Sequence, residues 1–125
     1  MIGTTKKFKI AHLLGSTKGN EQLFRAAEAE LTKQGYICFA PVFYGYEACK
    51  PYLPMLTEMC TAKLQICDIC VVATPDHIGD STTNRIKEAL SLRKPVYLIF
   101  ADGSLKPIKS IHDLTPYTTR NITKE

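Results

Sequence analysis

The sequence predicts an α/β domain built on a parallel sheet, and three observations support this fold class. Four short apolar runs alternate with three stretches that show the 3.6-residue periodicity of amphipathic helices. The third run, Ile69–Thr74, is apolar without alternation, which is typical of a strand covered on both faces. Segments rich in glycine, proline and hydroxyl residues separate these stretches. We therefore expect a Rossmann-like, flavodoxin-like three-layer sandwich.

Four strands are predicted, because four apolar runs have the length of a strand. They are Phe8–Leu14, Tyr36–Ala40, Ile69–Thr74 and Val96–Phe100. Right-handed crossovers leave few topologies, and we predict the strand order 2-1-3-4. The 125 residues suit a single domain with a core at about 8–100 and a tail at 101–125. Apolar residues of the tail are expected to pack back on the core: Ile108, Ile111, Leu114 and Tyr117.

Each of the three helices is predicted from apolar residues at helical spacing. In the first helix, which Asn20 caps and Gly35 ends, these residues are Leu23, Ala27 and Leu31. In the second, which follows Pro51 and Pro54, they are Met55, Met59, Ala62 and Ile66. In the third, which Ser81 or Thr82 caps, they are Ile86, Ala89 and Leu90.

The charge balance argues against a nucleic-acid binder. Sixteen Lys and Arg against twelve Asp and Glu give a net charge of +4, and the positive residues are scattered rather than gathered on one segment. This mild positive bias suits a small anionic ligand. We see no apolar run long enough to span a bilayer, and Met1–Lys7 is too polar for a signal peptide. We therefore expect a cytoplasmic protein with neither nucleic acid nor membrane as a partner.

The five cysteines predict neither a disulfide framework nor a metal site. Cys67 and Cys70 form a C-x-x-C pair, but no second ligand pair stands at zinc-site spacing. The pair also spans a predicted helix end and strand start, whereas redox pairs open a helix. We expect buried free thiols, no metal and no cofactor.

The topology predicts a ligand site before any motif is considered. In open α/β sheets, ligands bind beyond the carboxyl ends of the strands, where the strand order reverses. With the order 2-1-3-4, the loops at 15–20 and 75–81 meet at that point. The loop Gly15–Asn20 lacks the spacing of a Walker A loop and of a dinucleotide fingerprint. Its small residues still allow backbone N–H groups to approach a phosphate or a sugar.

Several short motifs, in this order and spacing, resemble the nucleoside 2-deoxyribosyltransferase-like superfamily, including its small phage and bacterial members. The resemblance covers roughly Ile10 to Phe100. The motifs are Leu14-Gly15-Ser16-Thr17, Asp68 at the start of the third strand, Gly79-Asp80-Ser81-Thr82, the helix positions Ile86 and Ala89, and Lys94-Pro95-Val96. The resemblance implies the same fold, a pocket for a sugar and a base, and assembly as a homo-oligomer.

Arg85 departs from the pattern of that superfamily. Its enzymes cleave N-glycosidic bonds with a helix glutamate that attacks C1′ of the sugar, and the matching position here is Arg85. An arginine stays protonated and cannot be that nucleophile. Counted from a cap at Thr82, Arg85 falls in the first helical turn, where the macrodipole disfavours a cation. We expect either a compensating anion, which would be Asp80, Asp76 or a bound phosphate, or a solvent-facing side chain.

Three acids near Arg85 are candidates to replace the missing glutamate. Glu88 lies three residues further on nearly the same helix face, about 4.5 Å along the axis. Asp76 and Asp80 lie in the loop and are closer to the expected sugar site. Each of the two loop acids could orient a sugar hydroxyl or a water.

Each of the remaining candidate residues has two possible roles, one in binding a ligand and one in supporting the structure. His12 is expected near the sugar or as a core histidine, and His77 at the ligand or in solvent. Phe43, Tyr44 and Tyr46 could stack on a base or pack a subunit interface, and Asp68 is expected to orient a loop or cap a helix end. The predicted ligand-binding residues are His12, Gly15, Ser16, Thr17, Phe43, Tyr44, Pro75, Asp76, His77, Gly79, Asp80, Ser81, Thr82 and Arg85.

These observations leave three functional interpretations open. In the first, the protein binds a nucleoside, a nucleotide or an ADP-ribose-like ligand without turnover, as a sensor or sequestering protein for a nucleotide signal. In the second, it is an active nucleoside deoxyribosyltransferase or N-glycosidase with a relocated acid. In the third, it is an interaction module with a vestigial pocket. Arg85 favours the first, because it removes the nucleophile that the second requires.

Overall fold

The apolar runs form a five-stranded sheet and the periodic stretches form helices in the computed structural model of the chain. The structure describes residues 7–41, 46–76 and 78–117. The strands are β1 (Lys9–Leu14), β2 (Tyr36–Phe39), β3 (Ile69–Val72), β4 (Val96–Ile99) and β5 (Leu105–Ile108). The helices are α1 (Glu21–Lys33), α2 (Tyr46–Cys49), α3 (Leu53–Ile66) and α4 (Asp80–Ser91), with 3₁₀ turns at Lys50–Tyr52 and Ile111–Tyr117.

The sheet is mostly parallel and has the strand order β2-β1-β3-β4-β5. β1 pairs in parallel with β2 on one side and β3 on the other, so that Ala11 lies between Cys38 and Ile69. β3 and β4 are also parallel, whereas β5 runs antiparallel to β4. The α/β class is thus confirmed. The predicted order 2-1-3-4 was incomplete, because part of the predicted tail adds a fifth strand.

A tight turn explains why the chain forms β5 directly after β4. The N–H of Gly103 donates to the carbonyl of Phe100 at 2.8 Å, and the N–H of Phe100 donates to that of Ser104 at 3.0 Å. Gly103 has φ +86°, a conformation that favours glycine. Pro107 is tolerated within β5 because this strand lies at the edge of the sheet. Ile108 and Leu114 are buried, so the tail packs on the core as expected.

Buried residues of the strands alternate between two apolar clusters. Ala11 and Leu13 of β1 belong to a cluster with Phe24, Ala27 and Leu31 of α1. Leu14 belongs to the other cluster, which contains residues of α3, α4, β4 and β5. In α1, Phe24 takes the buried position that we predicted for Leu23, which is 43% exposed.

The inner face of α3 is not the predicted one. Met55, Met59 and Ile66 are 51%, 46% and 57% exposed, and Ala62 is exposed as well. The half-buried and buried apolar side chains of α3 and its end lie on a neighbouring row: Leu56, Cys60, Leu64 and Cys67. Both rows are apolar at helical spacing, so periodicity alone could not choose between them. None of the helices that the structure describes is long and apolar enough to cross a lipid bilayer.

The start of α4 also differs from the prediction. Gly79 is the N-cap residue and Asp80 the first helical residue, so the helix begins earlier than a cap at Ser81 or Thr82 would allow. The N–H of Thr83 donates to the carbonyl of Gly79 at 2.9 Å, which closes the first turn. Ile86 and Ala89 are buried and Leu90 is half-buried, as the periodicity predicted.

Gly15, the residue directly after β1, is required by both space and conformation. It has φ +145°, and a Cβ added there would lie 2.6 Å from Oγ1 of the buried Thr74. Gly19 in the same loop has φ +72°, but nothing lies within 4 Å of an added Cβ.

We predict that Gly15→Ala lowers the free energy of unfolding by about 2–4 kcal/mol, because strain and a steric clash act together. Gly19→Ala, the matched control, should cost about 1 kcal/mol from strain alone. Urea unfolding of the two variants measures the difference. Equal losses of unfolding free energy in the two variants would contradict the close contact between Gly15 and Thr74.

Candidate functional site

An open cleft of about 1130 Å³ lies at the carboxyl end of β1. Its walls come from the loop after β1, the first turn of α1, the helix α3 and the first two turns of α4. The strand order reverses here, because β1 has β2 on one side and β3 on the other. The cleft therefore lies where open α/β sheets bind their ligands.

The loop after β1 brings backbone atoms to the cleft. Gly15 lets the chain pass close to Thr74, and the N–H of Ser16 donates to Oγ1 of Thr74 at 3.3 Å. The side-chain amide of Asn20 donates to the carbonyl of Ser16 at 3.0 Å, which ties the two ends of the loop together. Asn20 thus lies at the predicted cap of α1, but its side chain holds the loop instead of capping the helix.

The first turn of α4 forms the wall opposite this loop. Gly79, Asp80, Ser81 and Thr82 all line the cleft. Gly79 has no side chain that could accept from the first-turn amides of the helix, so these N–H groups depend on other partners. Amides at a helix start favour an anion through their partial positive charge.

His12 lies in the lining of the cleft and is 2% exposed. Neither Nδ1 nor Nε2 makes a hydrogen bond of full geometry to a described residue, although the backbone of Phe39 lies close enough to the ring to favour its protonated form. Burial is the main cause that lowers the pKa of His12 to about 4, and the charge of Lys63 acts in the same direction. The Phe39 backbone opposes them, and the charge of Arg85 makes the smallest contribution to the lowered pKa. The ring is therefore neutral at neutral pH, with one N–H donor and one nitrogen acceptor.

Arg85 lines the cleft but has a carboxylate partner. Its Nη1 lies 3.1 Å from Oε1 of Glu88, and the hydroxyl of Thr61 on α3 donates to Oε2 of Glu88 at 3.2 Å. Two expectations for Arg85 were therefore wrong. The anion that compensates it is Glu88 rather than Asp76, Asp80 or a required phosphate. Because α4 begins at Asp80, Arg85 also lies beyond the first turn.

Lys63 is a half-buried cation of the cleft that the sequence analysis missed. Its Nζ donates to the carbonyl of Ala40 at 3.5 Å. In the part of the chain that the structure describes, no carboxylate oxygen lies within 4.0 Å of this ammonium. Lys63 projects into the cleft from the same side of α3 as Leu56 and Cys60, which also line it. The sequence signal for this cation is a lysine at helical spacing from the apolar residues Leu56 and Cys60.

Most of the predicted site residues within the described ranges line the cleft. They are His12, Gly15, Ser16, Thr17, Gly79, Asp80, Ser81, Thr82 and Arg85. Pro75 is buried and Asp76 exposed, and neither lines the cleft; nor does Glu88. Phe43, Tyr44 and His77 lie outside the described residues, as does the side chain of Tyr46. The assignment of these residues to a ligand stays a prediction.

The wall contributed by α3 was not predicted. Besides Lys63, it includes the side chains of Leu53, Leu56, Thr57, Met59 and Cys60. Sequence alone could not assign this wall, because the position of α3 over the end of β1 is a tertiary feature. The wall is largely apolar, whereas the two loops that face it are polar.

Asp68 and the cysteine pair lie away from the cleft. Oδ2 of Asp68 accepts the N–H of Ile10 at 2.7 Å, so this carboxylate holds the beginning of the strand β1, a contact that we did not predict. Cys67 and Cys70 are buried with 3.7 Å between their sulfurs. Among the described residues, no group of three or more His, Cys, Asp or Glu side chains could hold a metal ion.

A comparison with protein-family models and with curated proteins finds no match for this chain. The resemblance described above therefore stays a prediction. What the chain does has to be argued from the cleft and its side chains.

The low pKa of His12 gives a prediction for the pH dependence of stability. The unfolded chain, with the ordinary histidine pKa of 6.5, binds more protons than the folded chain between pH 6.5 and about 4. The stabilisation from the neutral ring is therefore complete above pH 6.5 and is lost as the pH falls towards 4. We expect this loss to be roughly 2–3 kcal/mol in wild type.

The measurement is urea unfolding at several pH values between 4 and 7.5, for wild type and for His12→Asn. The variant has no titrating ring, so its free energy of unfolding should fall less over this range. The same pH dependence in both proteins would show that His12 is not held neutral in the folded state.

Proposed function

We propose that this chain binds a nucleoside, a nucleotide or an ADP-ribose-like ligand in the cleft without turning it over. The observation that carries the proposal is His12. A side chain that is 2% exposed, lines a cleft and makes no hydrogen bond of full geometry to a described residue is costly unless a ligand supplies the hydrogen bonds.

The size and lining of the cleft support a ligand of this class. Small-molecule pockets have volumes of roughly 300–1,000 Å³ and combine apolar walls with a few polar groups. The cleft, at about 1130 Å³, is large enough for a nucleotide. Leu56 and Met59 offer an apolar surface to a base, and Ser16, Thr17 and Ser81 offer backbone or hydroxyl groups to a sugar or a phosphate.

The finer fold assignment is part of this proposal. We propose a single flavodoxin-like, Rossmann-like domain with three layers. The alternation of β1 residues between the two apolar clusters supports it, because successive side chains of a strand point to opposite faces of the sheet. We also retain two proposals: assembly as a homo-oligomer, which the resemblance implies, and a cytoplasmic location, which the polar N-terminal segment and the lack of a long apolar run predict.

The alternative is an N-glycosidase or deoxyribosyltransferase with a relocated acid, and the described geometry favours Asp80 for that role. Asp80 lines the cleft beside Ser81, whereas neither Asp76 nor Glu88 lines it. Arg85 at the expected nucleophile position argues against turnover, because a guanidinium is not nucleophilic near neutral pH.

The test is a ligand panel of deoxyribonucleosides, their 5′-monophosphates, NAD and ADP-ribose. We expect at least one member to raise the Tm of wild type by several degrees, because a ligand at 100 times its Kd adds about 2.7 kcal/mol of stability. Chromatography of the same mixtures should detect no free base.

Two outcomes would contradict the binding proposal. Release of base by wild type that disappears in Asp80→Asn would establish the enzymatic alternative. No stabilisation by any member of the panel would favour a vestigial pocket. Asp76→Asn is the matched control for the first outcome, since Asp76 is exposed and does not line the cleft.

A further inference from the structure

Three cations among the described residues line the cleft. Lys18 is exposed, whereas Lys63 and Arg85 are half-buried and differ in how their charge is compensated. Arg85 is paired with Glu88 at 3.1 Å, and Thr61 holds the other oxygen of that carboxylate. The positive charge of Arg85 is therefore largely neutralised within the protein. Arg85 is therefore less available to a phosphate than an unpaired cation would be.

Lys63 has no such compensation within the described ranges. The carbonyl of Ala40, at 3.5 Å from Nζ, is a long contact and carries no net charge. The side chain is half-buried, so water screens the ammonium less than it would at an exposed site. A half-buried ammonium that has no carboxylate partner among the described residues favours the binding of an external anion.

His12 and Lys63 line the same cleft, and Lys63 is the strongest of the charges that disfavour protonation of the ring. The neutral ring has an N–H donor and a nitrogen acceptor, and neither nitrogen makes a hydrogen bond of full geometry to a described residue. The ammonium donors that Ala40 does not accept, together with an imidazole N–H, match several oxygens of one tetrahedral anion. The acceptor nitrogen can bind a hydroxyl of the same ligand.

We propose that Lys63 and His12 form an anion subsite that takes a phosphomonoester group. This inference rests on the proposed function and narrows it. The ligand is a nucleoside monophosphate or a similar phosphomonoester, and an unphosphorylated nucleoside binds more weakly. Arg85, held by Glu88, contributes to the wall of the subsite without being its principal cation.

The experiment is isothermal titration calorimetry with the four deoxyribonucleoside 5′-monophosphates and the corresponding nucleosides. Wild type is compared with Lys63→Met and with Lys87→Met, which removes an exposed lysine of α4 that does not line the cleft. We expect Lys63→Met to weaken monophosphate binding by about 10- to 100-fold, the value of a charge-assisted hydrogen bond. Its nucleoside affinity should change less than about 3-fold, and Lys87→Met should leave both affinities unchanged.

Two further variants separate a local effect from a folding defect. Lys63→Arg keeps the charge and should retain most of the preference for the monophosphate. His12→Asn should weaken monophosphate binding as well, with its fold checked by circular dichroism. If Lys63→Met does not fold, Lys63→Gln takes its place in the titrations.

The outcomes distinguish the subsite from the proposed function. If wild type binds a monophosphate and Lys63→Met binds it equally well, the subsite is wrong while the proposed function stands. If no nucleoside, nucleotide, NAD or ADP-ribose binds, the proposed function is wrong, and the effect of inorganic phosphate alone on the Tm of both proteins is then measured. Stabilisation by phosphate that depends on Lys63 supports the subsite, and its absence overturns it.

Discussion

The pairing of β1 with β3 is the constraint on which the rest of the structure depends. The two strands are adjacent although 58 residues separate their paired ends, and a side chain bonds the backbone at each end of the pair. Asp68 accepts the N–H of Ile10 at the beginning, and Thr74 accepts that of Ser16 beyond the end. This pairing reverses the strand order and brings the loop after β1 to the start of α4. The cleft exists because those two segments meet.

Much of the fold could be predicted because its elements carry strong local patterns. The first four strands are apolar runs, and α1 and α4 have one clear apolar face each. β5 could not be recognised from its residues, since Leu105–Ile108 is short and contains a lysine and a proline. The hairpin signal before it is the dipeptide Asp102-Gly103. The inner face of α3 was ambiguous, because tertiary packing alone decides between two apolar rows.

The position of the cleft could be predicted, whereas its electrostatics could not. Topology placed the loops after β1 and β3 together, and this needed no side-chain detail. The partner of Arg85 depends on where α4 begins, and the cap at Gly79 lies two residues before the earlier of the predicted caps. Whether Lys63 lines the cleft depends on the orientation of α3. Because of these two differences, we assign the anion contact to Lys63 and the neutral His12 rather than to Arg85, whose charge Glu88 compensates.

The most direct test of the central claim, that His12 and its neighbours hold a ligand, is to observe the His12 ring itself. Long-range ¹H–¹⁵N spectra report the ring nitrogens of each histidine, and His112 in the exposed 3₁₀ turn serves as the internal reference. On addition of deoxyadenosine 5′-monophosphate, or of whichever monophosphate stabilises the protein most, our account predicts that the His12 nitrogen signals shift while those of His112 stay in place. A bound monophosphate that leaves the His12 signals unchanged would contradict it.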